Sequence, residues 1–382
     1  MKKTLGLVLL TLLAVSFTFA GGQKDAANTA AAGPKFKIGI VFDVGGKGDK
    51  SFNDSAYQGL VRLAQEYKGY IKDDPDNVNF GTEIELKYLE PKSGGQDREQ
   101  LLRVMAEDGY GLIFGVGFLF SDSLAKVAAE FPETHFAIID GFIEGLSESS
   151  NITCLAFAEH EGSFLVGAAA GLKAGTSKVG FIGGMDSPLI HKFHGGFFAG
   201  AMYANPALRS ESMLFGQYIG KDGAAFNDPK TAESIAQNMF RQGASILYHA
   251  SGASGTGMFK TASDMGKWAI GVDSDQGLMY ATAATAEEKR IGEHILTSML
   301  KRVDISVYIT AKEFMEGTIE GGYRTFSLAD GGVGYAVNDY NKAVMNDIVP
   351  QLEQIKQKIV SGEITVPDHD SKVREWAEKM FR

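Results

Sequence analysis

The sequence predicts a two-lobed α/β protein. Short β-branched and aromatic runs alternate with longer helical stretches, the pattern of parallel sheets covered by helices. That rhythm runs through residues 36–140, passes one extended run at 152–157, and restarts at 179. The chain has 382 residues, more than one ordinary core organises and enough for two lobes of typical domain size.

The first series of strands falls at 36–42, 84–89, 112–115 and 136–140, and the second at 179–183, 214–219, 245–249 and 268–272. Between the first two strands, Phe52, Ala56, Leu60, Leu63, Ala64 and Tyr67 recur at helical spacing, which predicts a helix over 51–67 packed by one face on the first sheet. Residues 231–242 and 258–265 repeat the pattern in the second series. The tail predicts one helix over 340–358, with Val344, Ile348, Leu352 and Ile355 on its apolar face, and Pro367 sets off a short terminal helix.

Before the first strand the chain has a different character. Lys2 and Lys3, an apolar run over 5–15 and Thr18-Phe19-Ala20 before Gly21 form a secretory signal peptide over 1–20. Its apolar stretch is shorter than the roughly twenty residues a membrane-spanning helix needs, and no later stretch comes closer, so the mature chain is expected to be soluble. Residues 21–34 offer almost nothing to bury and read as a flexible tether.

The formal net charge of -10 argues against nucleic acid or an anionic membrane as partner, since either calls for a basic face. Cys154 is the only cysteine, which excludes an internal disulfide and a cysteine-based metal cluster. Its apolar surroundings read as those of a small buried thiol.

In parallel sheets, ligands sit beyond the carboxyl ends of the strands, where βα loops and helix N-termini converge. Asp43, Asp140 and Asp273 each end a strand, and Phe52 and Phe226 lie in the turns that follow strands. Carboxylates accept paired hydrogen bonds from vicinal hydroxyls, and aromatic faces stack on flat rings, each worth about 1–3 kcal/mol. Together they suit a ribose joined to a base, although any one of them alone reads equally well as capping or core packing.

Other chemistries fit less well. The run Gly45-Gly46-Lys47-Gly48-Asp49-Lys50-Ser51 resembles a phosphate loop, but Asp49 stands where a glycine must precede the Lys-Ser pair, and its carboxylate would repel phosphate. Gly252, Gly255 and Gly257 have the wrong order for a dinucleotide fingerprint, yet still allow close backbone approach. His191 and His194 could share a helix face, but no third ligand stands nearby in sequence, so surface or capping roles are expected and no metal site. Asp273-Ser274-Asp275 lacks the further oxygen ligands of a calcium loop. No convincing nucleophile and base are in evidence, and neither catalysis nor a cofactor is expected.

The opening run Asp43-Val44-Gly45-Gly46-Lys47-Gly48-Asp49-Lys50-Ser51-Phe52-Asn53, with Gly59, resembles the signature of the basic membrane protein family of solute-binding lipoproteins. Further matches follow in order: Gly115-Val116-Gly117-Phe118, residues 136–140, Glu161-Gly162-Ser163-Phe164-Leu165, Gly180-Phe181-Ile182-Gly183-Gly184-Met185, Phe226-Asn227-Asp228-Pro229, Ile270-Gly271-Val272-Asp273-Ser274-Asp275-Gln276 and Thr297-Ser298-Met299-Leu300-Lys301-Arg302. The resemblance covers about 37–305. It implies a type I periplasmic-binding-protein fold, two Rossmann-like lobes joined by several crossovers, and delivery of ligand to the permease of an ABC importer. On that plan the N-terminal lobe takes 36–155 with 277–307, and the C-terminal lobe 156–276 with 308–382.

The best-understood members are purine nucleoside receptors. The resemblance then implies a base held between Phe52 and Phe226, with Asp43, Asn53 and Asp140 as polar partners. It gives the ribose to Asp273 and to Lys301, the latter on a Ser-x-x-Lys helix of the first lobe, and close backbone approach to Gly252. On this resemblance the ligand is expected to be a nucleoside such as inosine, guanosine or adenosine, and the protein a monomer. A sensor of the same fold, or another flat ligand such as a flavin, is the alternative.

Two departures stand out. Family members usually carry a lipidated cysteine after the signal core, and Phe19-Ala20-Gly21-Gly22 has none, so lipid anchoring lacks its attachment residue. The lead over 221–225 into Phe226 is slightly longer than expected, which could alter the pocket.

Overall fold

The computed structural model describes residues 33–92 and 94–382, so the signal peptide over 1–20 and nearly all of the tether lie outside the described residues. In chain order the strands are β1 (Phe36–Val41), β2 (Tyr70–Ile71), β3 (Ile84–Leu89), β4 (Leu112–Val116), β5 (His135–Ile139), β6 (Ile152–Phe157) and β7 (Lys178–Met185). There follow β8 (Leu214–Gly220), β9 (Ala244–Ala250), β10 (Trp268–Asp273), β11 (Ile295–Lys301), β12 (Gly322–Phe326) and β13 (Val333–Tyr335). The helices are α1 (Phe52–Glu66), α2 (Arg98–Glu107), α3 (Ser121–Glu130), α4 (Glu159–Ala174), α5 (Pro188–Ala204), α6 (Pro229–Arg241) and α7 (Gly255–Asp264). Then come α8 (Gln276–Ala281), α9 (Ala286–Gly292), α10 (Val303–Glu316), α11 (Lys342–Met345), α12 (Val349–Val360) and α13 (Val373–Met380).

The strands form two sheets, one in the order β12-β6-β5-β4-β1-β3-β2 and one in the order β13-β11-β10-β9-β7-β8. Apart from β2, the two orders correspond strand for strand, so each lobe repeats the other. All named pairings are parallel except β11 with β13. Helices cover both faces, and central strands such as β4 (LIFGV) are buried at every residue, which explains their continuous apolar character.

The lobe boundaries differ from those expected. Residues 277–301 belong to the second lobe, because β11 pairs with β10 there. Residues 303–326 belong to the first, where α10 packs on α1 and β12 pairs with β6. The chain thus crosses after β6, after β11 and after β12. The run ending at Lys301 is a strand, not the helix of the first lobe that the resemblance implied. It is buried almost throughout, and a short, fully buried apolar run carries no period that separates strand from helix.

The tail also differs. The single helix expected over 340–358 is divided into α11 and α12, with Pro350 in the first turn of α12, where it costs no helical hydrogen bond but cannot continue a preceding helix. Among the described residues no helix is long and apolar enough to cross a membrane.

Candidate functional site

The β1–α1 loop is built around a buried carboxylate. Asp49 accepts hydrogen bonds from the backbone N–H groups of Ser51 (2.9 Å), Asn53 (2.9 Å) and Asp54 (3.1 Å), and from Asn53 Nδ2 (3.0 Å). It fills the anion position at the N-terminus of α1 that a phosphate would otherwise take. Phe52 is thereby fixed in the first turn of the helix. Asn53 Oδ1 accepts from the Asp43 backbone N–H at 3.0 Å, so this side chain ties the loop as well as facing the cleft.

Asp140 and Asp273 occupy corresponding places, just after β5 and at the end of β10, and both have a φ of 65°. Left-handed backbone is uncommon for residues other than glycine and tolerated best by Asn and Asp. The same constraint in both lobes turns two carboxylates towards the space between the sheets. Ser51 Oγ, from the first lobe, donates to Asp273 Oδ2 at 2.5 Å.

Lys301 ends β11, beside Asp273. Its ammonium donates to Asp140 Oδ2 in the opposite lobe and lies 3.2 Å from Glu159 Oε1. Glu159 Oε2 in turn contacts Lys192 Nζ at 3.1 Å. Burial raises the Asp140 and Asp273 pKa values above the usual carboxylate range, although Lys301 pulls both down. Burial alone would raise Glu159 too, but Lys301 and Lys192 outweigh it and hold it low. Lys301 is held well above its ordinary value: burial disfavours its charge, and Asp140, Glu159 and Asp273 more than offset that. Asp140 Oδ1 is buried without a hydrogen-bond partner, an acceptor left for a donor from within the cavity.

All eight residues named from the sequence, Asp43, Phe52, Asn53, Asp140, Phe226, Gly252, Asp273 and Lys301, line one cavity between the lobes. It encloses about 600 Å³ of atom-free space, including solvent at its mouth. Phe226 lies edge-on to Phe118, ring centroids 6.5 Å apart. Its ring lies against Gly184, where a Cβ would come within 2.5 Å of Phe226 Cε1. Gly252, at a φ of 55°, brings its backbone against Phe226. Lys301 Nζ sits 5.1 Å from the centre of the Phe52 ring.

Sequence reasoning missed several lining residues, among them Asp49, Phe118, Leu189, Ile190 and Phe193. Phe118 stood in a matched motif directly after a strand, which was the signal available for it. It missed Glu159, which counters Lys301, and Arg98, whose Nε donates to Asp43 Oδ1 at 3.1 Å. Asp43 is therefore a salt-bridged carboxylate at the cavity wall, with Oδ1 engaged by Arg98. His191 and His194, for which no third ligand was expected, do have further partners: His369 and Asp370, from the segment before α13, reach them in space. Cys154 is buried in β6, and burial pushes its thiol pKa up.

A family model, Bmp, described as ABC transporter substrate-binding protein PnrA-like, matches residues 36–370. The CD4+ T-cell-stimulating antigen of Listeria innocua is 30% identical over 381 residues, 96% of this chain and 99% of its own length. The ABC transporter nucleoside-binding protein BmpA of Lactococcus lactis is 30% identical over 376 residues, 96% of this chain and 99% of its own. Among solved structures, an ABC transporter solute-binding protein from Aeropyrum pernix superposes with a TM-score of 0.72 at 27% identity, covering 91% of this chain and 97% of that one.

Proposed function

The chain belongs to the Bmp family of PnrA-like ABC transporter substrate-binding proteins, and on that premise we propose that it captures a purine nucleoside between its lobes for import. The observation that carries this reading is the pairing of Phe52 and Phe226, from opposite lobes, in one cavity with a buried charged floor. Flat faces from two sides take a base, and the carboxylates of Asp140 and Asp273 take hydroxyl donors from a ribose. The name of the Lactococcus lactis relative, a nucleoside-binding protein, supports the same ligand class. The cluster performs no chemistry in this reading: Lys301 neutralises carboxylates that would otherwise repel one another.

Calorimetric titration of the purified mature chain with a panel of nucleosides, free bases and flavins tests the proposal. Tight binding confined to purine nucleosides supports it, and tight binding of a flavin alone rejects it. The same reading has the signal segment removed after Ala20 with no lipid attached and the protein acting as a monomer. The intact mass of the secreted chain tests the processing, and its sedimentation tests the monomer.

A further inference from the structure

On the face of α5 turned away from the cavity, three of the seven histidines meet an aspartate. Asp370 Oδ1 lies 2.8 Å from His191 Nδ1 and 2.8 Å from His369 Nδ1, while Asp370 Oδ2 lies 3.4 Å from His194 Nδ1. The rings of His191 and His369 stack with centroids 4.2 Å apart. Ligand atoms of His191, His369 and Asp370 all lie within 4.8 Å of one another.

We propose that His191, His369 and Asp370, with His194 beside them, bind a divalent transition-metal ion of zinc's ligand preference. Imidazole nitrogens with one carboxylate form a donor set for zinc or its neighbours, rather than for calcium or magnesium.

The proton positions support an ion here, assigned from the hydrogen-bond network. His191 Nε2 lies 3.0 Å from Asp186 Oδ1, and with the ring proton assigned to Nε2, beside that carboxylate, Nδ1 keeps its lone pair. A metal-bound imidazole is oriented by a carboxylate in this same way. His369 Nδ1 accepts from the Ser371 backbone N–H at 3.2 Å and lies 2.9 Å from Ser371 Oγ, contacts that a bound ion would replace. Both nitrogens lie 2.8 Å from Asp370 Oδ1, which is buried and has no hydrogen-bond partner. The Tyr218 hydroxyl lies 2.8 Å from both His191 Nδ1 and His194 Nδ1, and its single proton can serve only one of them. Three acceptors this close repel unless a cation stands among them. The ion would clasp the segment before α13 onto α5, the helix whose Leu189, Ile190 and Phe193 line the cavity.

The test uses the mature chain without a polyhistidine tag, stripped with a chelator. Zn²⁺ is added in a calorimeter, and Co²⁺ is followed by its visible absorption. One equivalent of each should bind, with Co²⁺ giving the intense bands of a low-coordinate site. His369→Gln should weaken Zn²⁺ binding by more than about 100-fold, and Asp186→Asn, which only orients His191, by about 10–100-fold at unchanged stoichiometry. Metal-free melting curves matching the wild type establish that both variants fold. Wild-type affinity no greater than that of His369→Gln overturns the site, and leaves a protonated His191 shared by Asp186 and Asp370 as what holds the cluster.

Discussion

Lys301 and Asp140 end strands in opposite lobes, β11 and β5, and meet as a buried ion pair across the cleft. Removing one partner of such a pair strands the other charge, at a cost of about 3–5 kcal/mol. Lys301→Met leaves Asp140, Glu159 and Asp273 without their shared cation and should lose stability of that order in urea unfolding. Adding Asp140→Asn should restore part of it. A loss below about 1 kcal/mol would show that the pair does not hold the lobes.

Phe52→Ala and Phe226→Ala should each weaken nucleoside binding by about 1–3 kcal/mol while leaving the melting curve of the empty protein nearly unchanged. Gly184→Ala should act on the same ring by displacement, since its Cβ would fall 2.5 Å from Phe226 Cε1. Affinities at the wild-type level in both phenylalanine variants, measured by calorimetry, would exclude stacking.

Asp140 and Asp273 lead to a ranking of ligands. Without hydroxyl donors, a free base leaves the buried Asp140 Oδ1 without a partner, at a cost of about 1–3 kcal/mol or more. Inosine should bind at least about tenfold tighter than hypoxanthine, with deoxyinosine between them. Asp273→Ala should narrow that gap more than it weakens hypoxanthine. Equal affinity for inosine and hypoxanthine would remove the ribose role of Asp273 and Lys301, even in a purine-binding protein.

His249 is fully buried, with Nδ1 3.1 Å from Ser251 Oγ and Nε2 3.1 Å from Gln276 Oε1. Gln276 reaches on to the Lys50 carbonyl of the other lobe at 2.9 Å. Burial depresses the His249 pKa from 6.5 to about 4, against the Gln276 hydrogen bond. The unfolded chain takes up this proton as pH falls through 6.5, and the folded chain only near 4. The contribution is therefore complete above about pH 6.5 and lost as pH falls towards 4, about 2 kcal/mol of it by pH 5. His249→Gln should lose less stability than the wild type between pH 7 and pH 5 in urea titrations. His135 and His194, lowered to about 4 by burial, His160, also lowered, and Asp49 and Asp140, raised by burial to about 7 and about 6, contribute to the slope that remains. An unchanged loss in the variant would rule out His249 as a source.

Much of this was legible in the sequence. The strands at 84–89 and 152–157 have the bounds read from their residues alone, because a buried parallel strand is a local apolar run between turns. The site residues were found because strand ends and helix starts are local features too, and parallel sheets place them at one edge.

The α/β rhythm, the second series of strands and the loops that line the cleft are written locally in the chain. That β11 belongs to the second sheet, and hence that Lys301 and Asp273 stand side by side in one lobe, follows only from how the sheets assemble. The tertiary structure also decided that Arg98 engages Asp43, and that His369 and Asp370 reach α5. Periodicity records which face of an element is buried but not what covers it. Contacts between residues 55 or 161 positions apart, such as Arg98 with Asp43 or Lys301 with Asp140, leave no local pattern and exist only once the sheets have formed.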